Sequence, residues 1–310
     1  MIQFQMKKYK QFLFVKFKAL YKRPFVEVFY INNKVVVEMK SKFLMITAIA
    51  VTTCSFFNIS SALNGAQEAG RVVLKDGKRV VYPTSEFPYT SMLEHKGKFK
   101  CGAVIITLKA VLTAAHCVKG IPGKQFLVRA GTFTKLDSVG KYVQTRRVER
   151  KFTPLDYNKK TFASDIAVLK LKLNWIFNQY VKPAQLPQYG ADEPYKNKEF
   201  VALGHGYNDY AEESKTLRKS ILKVLPRDQC LVFQRDAPES VLCVVGQDGL
   251  RGANDGDSGS PLIANHHSER PQHDIVIGIT SYIWESEDER GYSAYTNVAF
   301  YREWIKSKLF

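Results

Sequence analysis

Short apolar runs separated by turn-forming residues fill the chain from about residue 80 to its end. Examples are residues 103–107, 125–130, 141–147, 166–171, 200–203 and 275–279. Short runs rich in Val, Ile, Leu, Phe and Tyr, bounded by Gly, Pro, Asn and Asp, are typical of β-strands. Their close spacing indicates a barrel or a sandwich and disfavours alternating strand–helix units.

The C-terminal residues follow a different period. Asn297 is a good N-cap, and five residues after it fall on one face of a helix: Val298, Tyr301, Trp304, Ile305 and Leu309. Such a stripe packs against a core by default, so we expect a C-terminal α-helix with no functional role.

The net charge of +17 over 310 residues is unevenly spread, since residues 1–42 hold ten Lys or Arg and only two acids. The rest of the excess is typical of a solvated basic surface on a large domain. The sequence holds no nucleic-acid-binding motif, so we expect no nucleic-acid partner.

The five cysteines indicate an oxidising compartment. Cys54 lies in an apolar run near the N-terminus, whereas the other four form two close pairs, Cys101 with Cys117 and Cys230 with Cys243. No CxxC spacing occurs, which disfavours zinc. Two local disulfides are therefore the better interpretation.

Residues 39–62 have the parts of a signal peptide: a short basic region, an apolar core and small residues before Ala62. The 38 residues before it fit no targeting pattern. We expect translation to begin at Met39, which would make residues 1–38 an upstream segment outside the protein. The alternative is a basic cytoplasmic tail before an uncleaved membrane anchor.

Three segments together supply the residue types needed for acyl transfer by an activated hydroxyl. His116 follows Thr113-Ala-Ala and precedes Cys117, Asp165 heads the apolar run Ile-Ala-Val-Leu, and Ser258 lies in Gly256-Asp-Ser-Gly. A base must be held rigidly, a buried carboxylate can orient it, and glycines beside the hydroxyl let a carbonyl approach. Alone, each segment is also compatible with a structural turn or strand cap.

These three blocks, in the order His, Asp, Ser, resemble the signature blocks of trypsin/chymotrypsin-like serine proteases. The resemblance covers about residues 80–310. It implies an all-β fold of two packed six-stranded antiparallel β-barrels with a C-terminal α-helix. It implies the disulfides Cys101–Cys117 and Cys230–Cys243. His116, Asp165 and Ser258 would form the catalytic triad.

Further roles follow from the same resemblance. The backbone N–H groups of Gly256 and Ser258 would form the oxyanion hole, and Asp257 would pair with a new N-terminal ammonium after zymogen cleavage. The activating bond is open, with Arg79-Val80 favoured and Arg71-Val72 or a start at Leu63 as alternatives. Residues 63–79 are then a possible propeptide, and residues 80–310 form the protease domain.

The specificity pocket departs from the trypsin pattern. Gly252 would lie at its base, with Ser281, Tyr282, Ile283 and Ser293 as walls. Without an acid at the base, a buried Lys or Arg lacks a counter-charge. The resemblance therefore implies cleavage after small or medium apolar residues, with Asp255 and Asp248 as acids near the pocket. Asn254 replaces a Cys that usually staples this region.

The sequence thus predicts a secreted, monomeric serine endopeptidase that acts on proteins or peptides and is open to protein protease inhibitors. No cofactor and no metal are expected, and His266, His267 and His273 are expected in a surface loop. The competing hypothesis is a catalytically silent homologue that serves as a binding or cofactor protein.

Overall fold

The computed structural model describes residues 85–135, 140–188, 195–207, 214–246, 252–267, 270–284 and 291–310, and the backbone of four short strands before residue 80. The chain divides into two units, Met1–Ala62 and Leu63–Phe310. Within the described ranges, no helix has both the length and the apolar character needed to cross a membrane.

The first unit contains an antiparallel sheet of strands β1 (Val15–Lys16), β2 (Val26–Ile31) and β3 (Lys34–Met39), in the order β1-β2-β3. This sheet lies in the predicted upstream segment. The predicted signal peptide lies outside the described residues apart from Met39, and so does Cys54.

In the second unit, six antiparallel strands close into a barrel in the order β10-β7-β6-β5-β8-β9. They are β5 (Thr90–His95), β6 (Lys98–Thr107), β7 (Ala110–Thr113), β8 (Phe126–Ala130), β9 (Gln144–Phe152) and β10 (Ala167–Leu171). Pairing of β7 with β10 sets Thr113 opposite Ala167. The end of β7, which leads to His116, and the start of β10, which follows Asp165, therefore meet at one edge of this barrel.

A second set of six strands follows in the order β11-β14-β15-β16-β13-β12, and pairing of β11 with β12 closes it. They are β11 (Glu199–Gly204), β12 (Arg218–Val224), β13 (Val241–Gly246), β14 (Pro261–Ala264), β15 (Ile275–Ile283) and β16 (Ser293–Asn297). Strand β4 (Lys78–Arg79) adds to β12 opposite Arg218 and Lys219. The predicted fold of two six-stranded barrels is confirmed.

One apolar core runs from the first barrel into the second. Leu112 of β7 faces Val168 of β10, and both belong to the same buried cluster as Ile279 of β15. Fully burying such a side chain contributes about 1.5–3 kcal/mol. The two barrels are thus joined by apolar contact, and residues placed on facing edges hold fixed relative positions.

In the described part of the chain, three short α-helices accompany the barrels: α1 (Ala115–Val118), α2 (Arg227–Phe233) and α3 (Arg302–Ser307). The C-terminal helix is confirmed, but the expected cap at Asn297 is wrong, because Tyr301 is the N-cap. Asn297 still pairs in β16 opposite Gly278, and its side chain accepts from Ala299 N–H in the turn that follows. Ile305 of α3 is buried in the shared core.

Both predicted disulfides are present. Cys101–Cys117 ties β6 to α1, and Cys230–Cys243 ties α2 to β13. The first closes a loop of sixteen residues that contains His116. It therefore restrains the turn that carries this side chain.

Candidate active site

Asp165 is fully buried at the edge of the first barrel and is satisfied from three directions. Oδ1 accepts from His116 N–H at 2.8 Å, and Oδ2 lies 2.7 Å from His116 Nδ1 and 2.6 Å from Ser281 Oγ. An ionised carboxylate only accepts, so Nδ1 carries the proton and Nε2 is left as the basic nitrogen. The tautomer of His116 is thereby fixed.

The loop of Ser258 is held against the segment that leads to His116. Gly102 N–H donates to Ser258 O at 2.8 Å. A Cβ on Gly259, whose φ is +79°, would meet Thr113 Oγ1 at 2.3 Å. Only glycine permits both this conformation and this approach.

The three predicted triad residues thus lie on adjoining segments, and the described residues include the Asp165–His116 contact. Among these residues, no hydrogen bond joins Ser258 Oγ to His116 Nε2, and Nε2 lies 3.6 Å from Cys117 Sγ. In the absence of substrate, the distance between a nucleophile and its catalytic base often exceeds that of a hydrogen bond.

The predicted oxyanion donors lie in a loop with left-handed backbone at Gly256, where φ is +89°. Within the described part of the chain, no acceptor is assigned to the N–H groups of Gly256 and Ser258. Two N–H groups without partners can serve an incoming oxyanion.

Asp257 is buried beside Ser258 and is held by backbone donors. Its Oδ1 accepts from Gly206 N–H at 2.6 Å and its Oδ2 from Asn254 N–H at 2.9 Å. A Cβ on Gly204 would meet Oδ1 at 1.9 Å, so Gly204 and Gly206 leave room for the carboxylate. Burial raises the pKa of Asp257 to about 6, although the two N–H groups, Lys135 and Arg218 oppose the shift.

His205 lies between those two glycines and is also buried. Burial, aided by the charge of Lys135, lowers the pKa of His205 to about 3. Lys135 Nζ donates to His205 O at 2.7 Å and lies 4.1 Å from the ring centre of Phe99. The loop that holds Asp257 therefore contains a neutral imidazole.

Gly252 and Ser293 touch at the predicted base of the pocket. A Cβ on Gly252 would meet Ser293 Oγ at 2.6 Å and Gly291 O at 2.4 Å, and Ser293 Oγ accepts from Ala253 N–H at 2.7 Å. A residue with a side chain would therefore not fit at position 252 without moving its neighbours. Asp255 is exposed, and Asp248 lies outside the described residues.

The other predicted walls diverge. A bulge between Thr280 and Tyr282 turns Ser281 toward Asp165, whereas Ile283 is 40 % exposed. Ser281 was expected only as a pocket wall, and its hydroxyl is also a donor to Asp165. A β-bulge changes the direction of a side chain in this way, and the local sequence pattern does not predict the bulge.

Phe162 is a site residue that the sequence did not indicate. Its ring stacks on Tyr282 with centres 5.0 Å apart and meets the edge of His116 at 5.9 Å. Its φ is +53°, a left-handed conformation that a bulky residue rarely adopts. In the sequence, the one feature that could have identified Phe162 as a site residue is its position three residues before Asp165. Phe162 and Tyr282 form an aromatic wall beside His116.

Two groups of potential metal ligands have other partners. Cys101, His116 and Cys117 lie close together, but both sulfurs form the disulfide. His267 and His273 are exposed, whereas His266 is half-buried and contacts Asp274 and Glu86. His266 lies in the expected loop but is only partly exposed, and its ring also stacks on Phe87.

The model of the trypsin family matches residues 77–305. Vitamin K-dependent protein C of Oryctolagus cuniculus is 31 % identical over 228 residues, which are 70 % of this chain and 48 % of that protein. Trypsin of Phaedon cochleariae is 29 % identical over 233 residues, 72 % of this chain and 84 % of that protein.

Other relatives are longer or more distant. Transmembrane protease serine 9 of Rattus norvegicus is 29 % identical over 243 residues, and the match spans 22 % of that protein. The chain thus spans half or less of two of these relatives. The structure of human heparin binding protein shares the fold, with a TM-score of 0.64 and 21 % identity over 75 % of this chain and 95 % of that one.

The raised pKa of Asp257 predicts a pH-dependent stability of the uncleaved chain. An acid whose pKa rises from 3.8 unfolded to about 6 folded binds more protons in the folded state between these values. Its contribution is therefore complete below pH 3.8 and is lost as the pH rises through about 6. Relative to Asp257→Asn, the wild-type free energy of unfolding should fall by up to about 3 kcal/mol over this window.

Urea denaturation of both forms from pH 4 to pH 7 measures this difference. His205 acts in the opposite direction, because its lowered pKa makes stability rise with pH up to 6.5, and it cancels in the comparison since both forms carry it. A difference that does not change with pH would show that Asp257 is ionised throughout.

Proposed function

Because the chain belongs to the trypsin family, we propose that it is a secreted serine endopeptidase that hydrolyses proteins or peptides through an acyl-enzyme. The observation that carries the proposal is the contact of buried Asp165 with the partly exposed His116, with the Ser258 loop bonded to Gly102 beside it. We further propose that the enzyme is a monomer, needs no cofactor and can be blocked by protein protease inhibitors.

Each triad residue has a distinct task in this mechanism. Ser258 Oγ attacks the peptide carbonyl, and His116 Nε2 takes its proton and then gives it to the leaving amine. Asp165 holds the proton on Nδ1 and stabilises the imidazolium that forms. The N–H groups of Gly256 and Ser258 donate to the developing oxyanion, and water then hydrolyses the acyl-enzyme.

The pocket favours small or medium apolar side chains before the cleaved bond. Ser293 Oγ lies against Gly252 at the predicted base. Ile283 would narrow the entrance, because the resemblance sets it where a Gly is common. Among the described pocket residues, no carboxylate lies at the base, so a bound Lys or Arg would lack a counter-charge. Ala, Val and Leu fit best, with large aromatic side chains second.

Activation would supply Asp257 with an ammonium partner, whereas its donors among the described residues are two backbone N–H groups. An ammonium docked beside the carboxylate lowers its pKa and offsets the cost of burial. The favoured new N-terminus is Val80. Lys78 and Arg79 pair with β12, so this pairing would have to open before a protease could cut after Arg79. Cleavage after Arg71, which would expose Val72, is the alternative.

Ser258→Ala should lower kcat/KM by roughly 10⁴-fold or more, because no other hydroxyl replaces the nucleophile. Hydrolysis of a chromogenic peptide and labelling by a fluorophosphonate measure the effect. The melting temperature serves as the control for folding. Turnover equal to that of the wild type would remove Ser258 from the mechanism, and wild-type protein that resists the label after cleavage would favour the silent homologue.

A set of chromogenic peptides that differ only in the residue before the cut should be cleaved in the order Ala, Val or Leu, then Phe, then Arg. Ile283→Gly should raise kcat/KM for Phe relative to Ala by roughly tenfold, because the entrance widens. Ile283→Val is the matched control and should keep the order. A clear wild-type preference for Arg would contradict the pocket assignment.

N-terminal sequencing of the active form should identify Val80 as its first residue. Val80→Gly should then slow activation, since the apolar side chain that follows the ammonium into the protein is lost. A start at Val72 would assign activation to Arg71, and a start at Leu63 would mean that no propeptide is removed.

A further inference from the structure

The basic residues of the first barrel are concentrated around strand β9. The segments 107–112, 119–125, 144–152 and 167–172 adjoin one another and hold nine Lys or Arg but one acid, Glu149. We call six of these basic residues the basic strip: Lys109, Lys119, Arg147, Arg150, Lys151 and Lys172.

Backbone hydrogen bonds show that the strip is continuous. Lys172 N–H donates to Arg147 O at 2.8 Å, and Leu171 N–H donates to Lys109 O at 2.9 Å. Lys109 lies 3.7 Å from Glu149, the one acid in these segments. Pairing of β9 with β10 carries the strip along the barrel wall.

Like charges lie close together within these segments, although Lys170 Nζ also donates to Phe310 O at 2.9 Å. Lys170 faces Arg150 directly across β9 and β10, and like charges in this position destabilise a sheet. Lys151 Nζ donates to Val118 O and Ile121 O, and its burial and the charge of Lys119 lower its pKa. Cations kept close together at such a cost indicate an anionic partner.

One end of the strip lies at the rim of the catalytic cleft. Lys119 ends α1, three residues after His116, and Lys151 bonds to Val118 of the same helix. Phe152 of β9 pairs opposite Val168, close to Asp165. A molecule bound along the strip would therefore extend to the catalytic cleft.

The other end is bordered by exposed apolar side chains. Leu108 is 46 % exposed, Leu173 65 % and Ile176 70 %. Trp175 N–H donates to Leu108 O at 2.8 Å, which brings these residues together next to Lys109 and Lys172. We call Leu108, Leu173 and Ile176 the apolar patch. Exposed apolar groups beside charges are typical of a protein interface.

We propose that the basic strip and the apolar patch bind an acidic segment of a protein partner that also carries apolar side chains. Acidic groups would pair with the strip, and apolar groups would cover the patch. Nucleic acid fits less well, because Arg150 lies over one face of Phe152 and Lys119 over one face of Tyr157, where a base would otherwise stack. A sulfated polysaccharide would leave the patch uncovered.

Binding can be measured without catalysis. Two labelled peptides of equal length and equal glutamate content are titrated into Ser258→Ala protein, and fluorescence anisotropy is recorded at low and physiological ionic strength. In one peptide Leu and Phe separate the glutamates, and in the other Ser and Gly do. The apolar–acidic peptide should bind more tightly, and salt should weaken both.

The variants separate the two surfaces. Arg147→Glu with Lys172→Glu should weaken both peptides by roughly tenfold. The neutral variant Arg147→Gln with Lys172→Gln should also weaken both peptides, and it replaces the charge reversals where these disturb folding. Leu173→Ser with Ile176→Ser should weaken only the apolar–acidic peptide. Lys196→Glu with Lys198→Glu, an equal charge change at exposed positions before β11, should change neither.

Three results would overturn the proposal. Equal losses in the Lys196/Lys198 control would reduce the effect to net charge. Equal affinity of the two peptides would exclude the apolar patch. Displacement by a sulfated oligosaccharide or a DNA duplex at lower concentration than by the apolar–acidic peptide would assign the strip to those polymers. Hydrolysis of a small chromogenic peptide should be unchanged in the strip variants, which separates this test from that of the catalytic proposal.

Discussion

A carboxylate that is removed from water must be satisfied by the chain, and Asp165 imposes this requirement on the whole cleft. An unpaired buried charge costs several kcal/mol. The first barrel meets the requirement with the backbone and ring of His116, and the second barrel with the hydroxyl of Ser281. Thr296 of β16 also donates to Asp165 O. The same interactions that make the carboxylate tolerable therefore fix the tautomer of the histidine and hold the barrels in register.

The bulge in β15 links this requirement to the nucleophile. Thr280 accepts from Gly259 N–H and donates through its hydroxyl to Ser260 O, while the next residue, Ser281, turns to Asp165. One strand thus supports the acid and the serine loop together. Gly102 completes the arrangement from the other barrel, since its N–H holds Ser258 O and a Cβ there would meet Ser260 Oγ at 2.1 Å. A shift of any one of these segments would move the others.

Local pattern located the strands that the apolar runs predicted, because apolar alternation and turn residues act over a few positions, but the run 141–147 missed the bounds of β9, Gln144–Phe152. The close spacing of the cysteines indicated two local disulfides. The resemblance of three short blocks identified His116, Asp165 and Ser258 as candidates. The start of α3 at Arg302, the φ of Phe162 and the contact of His266 with Glu86 could not be read in this way. Each depends on partners far away in the chain, such as the 180 residues between His266 and Glu86. Sequence spacing carries no information on such contacts until the fold is known.

The loop around Asp257 shows how a new N-terminal ammonium could affect the site. Two backbone N–H groups hold the carboxylate in place, yet burial still raises its pKa to about 6, so its charge remains poorly compensated near neutral pH. The charges of Lys135 and Arg218 lower this pKa, but they do not offset the effect of burial. The loop beside Ser258 is therefore formed in the uncleaved chain, and the buried carboxylate is held there at a cost in stability. A docked ammonium would remove that cost without rebuilding the loop, and cleavage elsewhere in the chain would thus be felt at the oxyanion site.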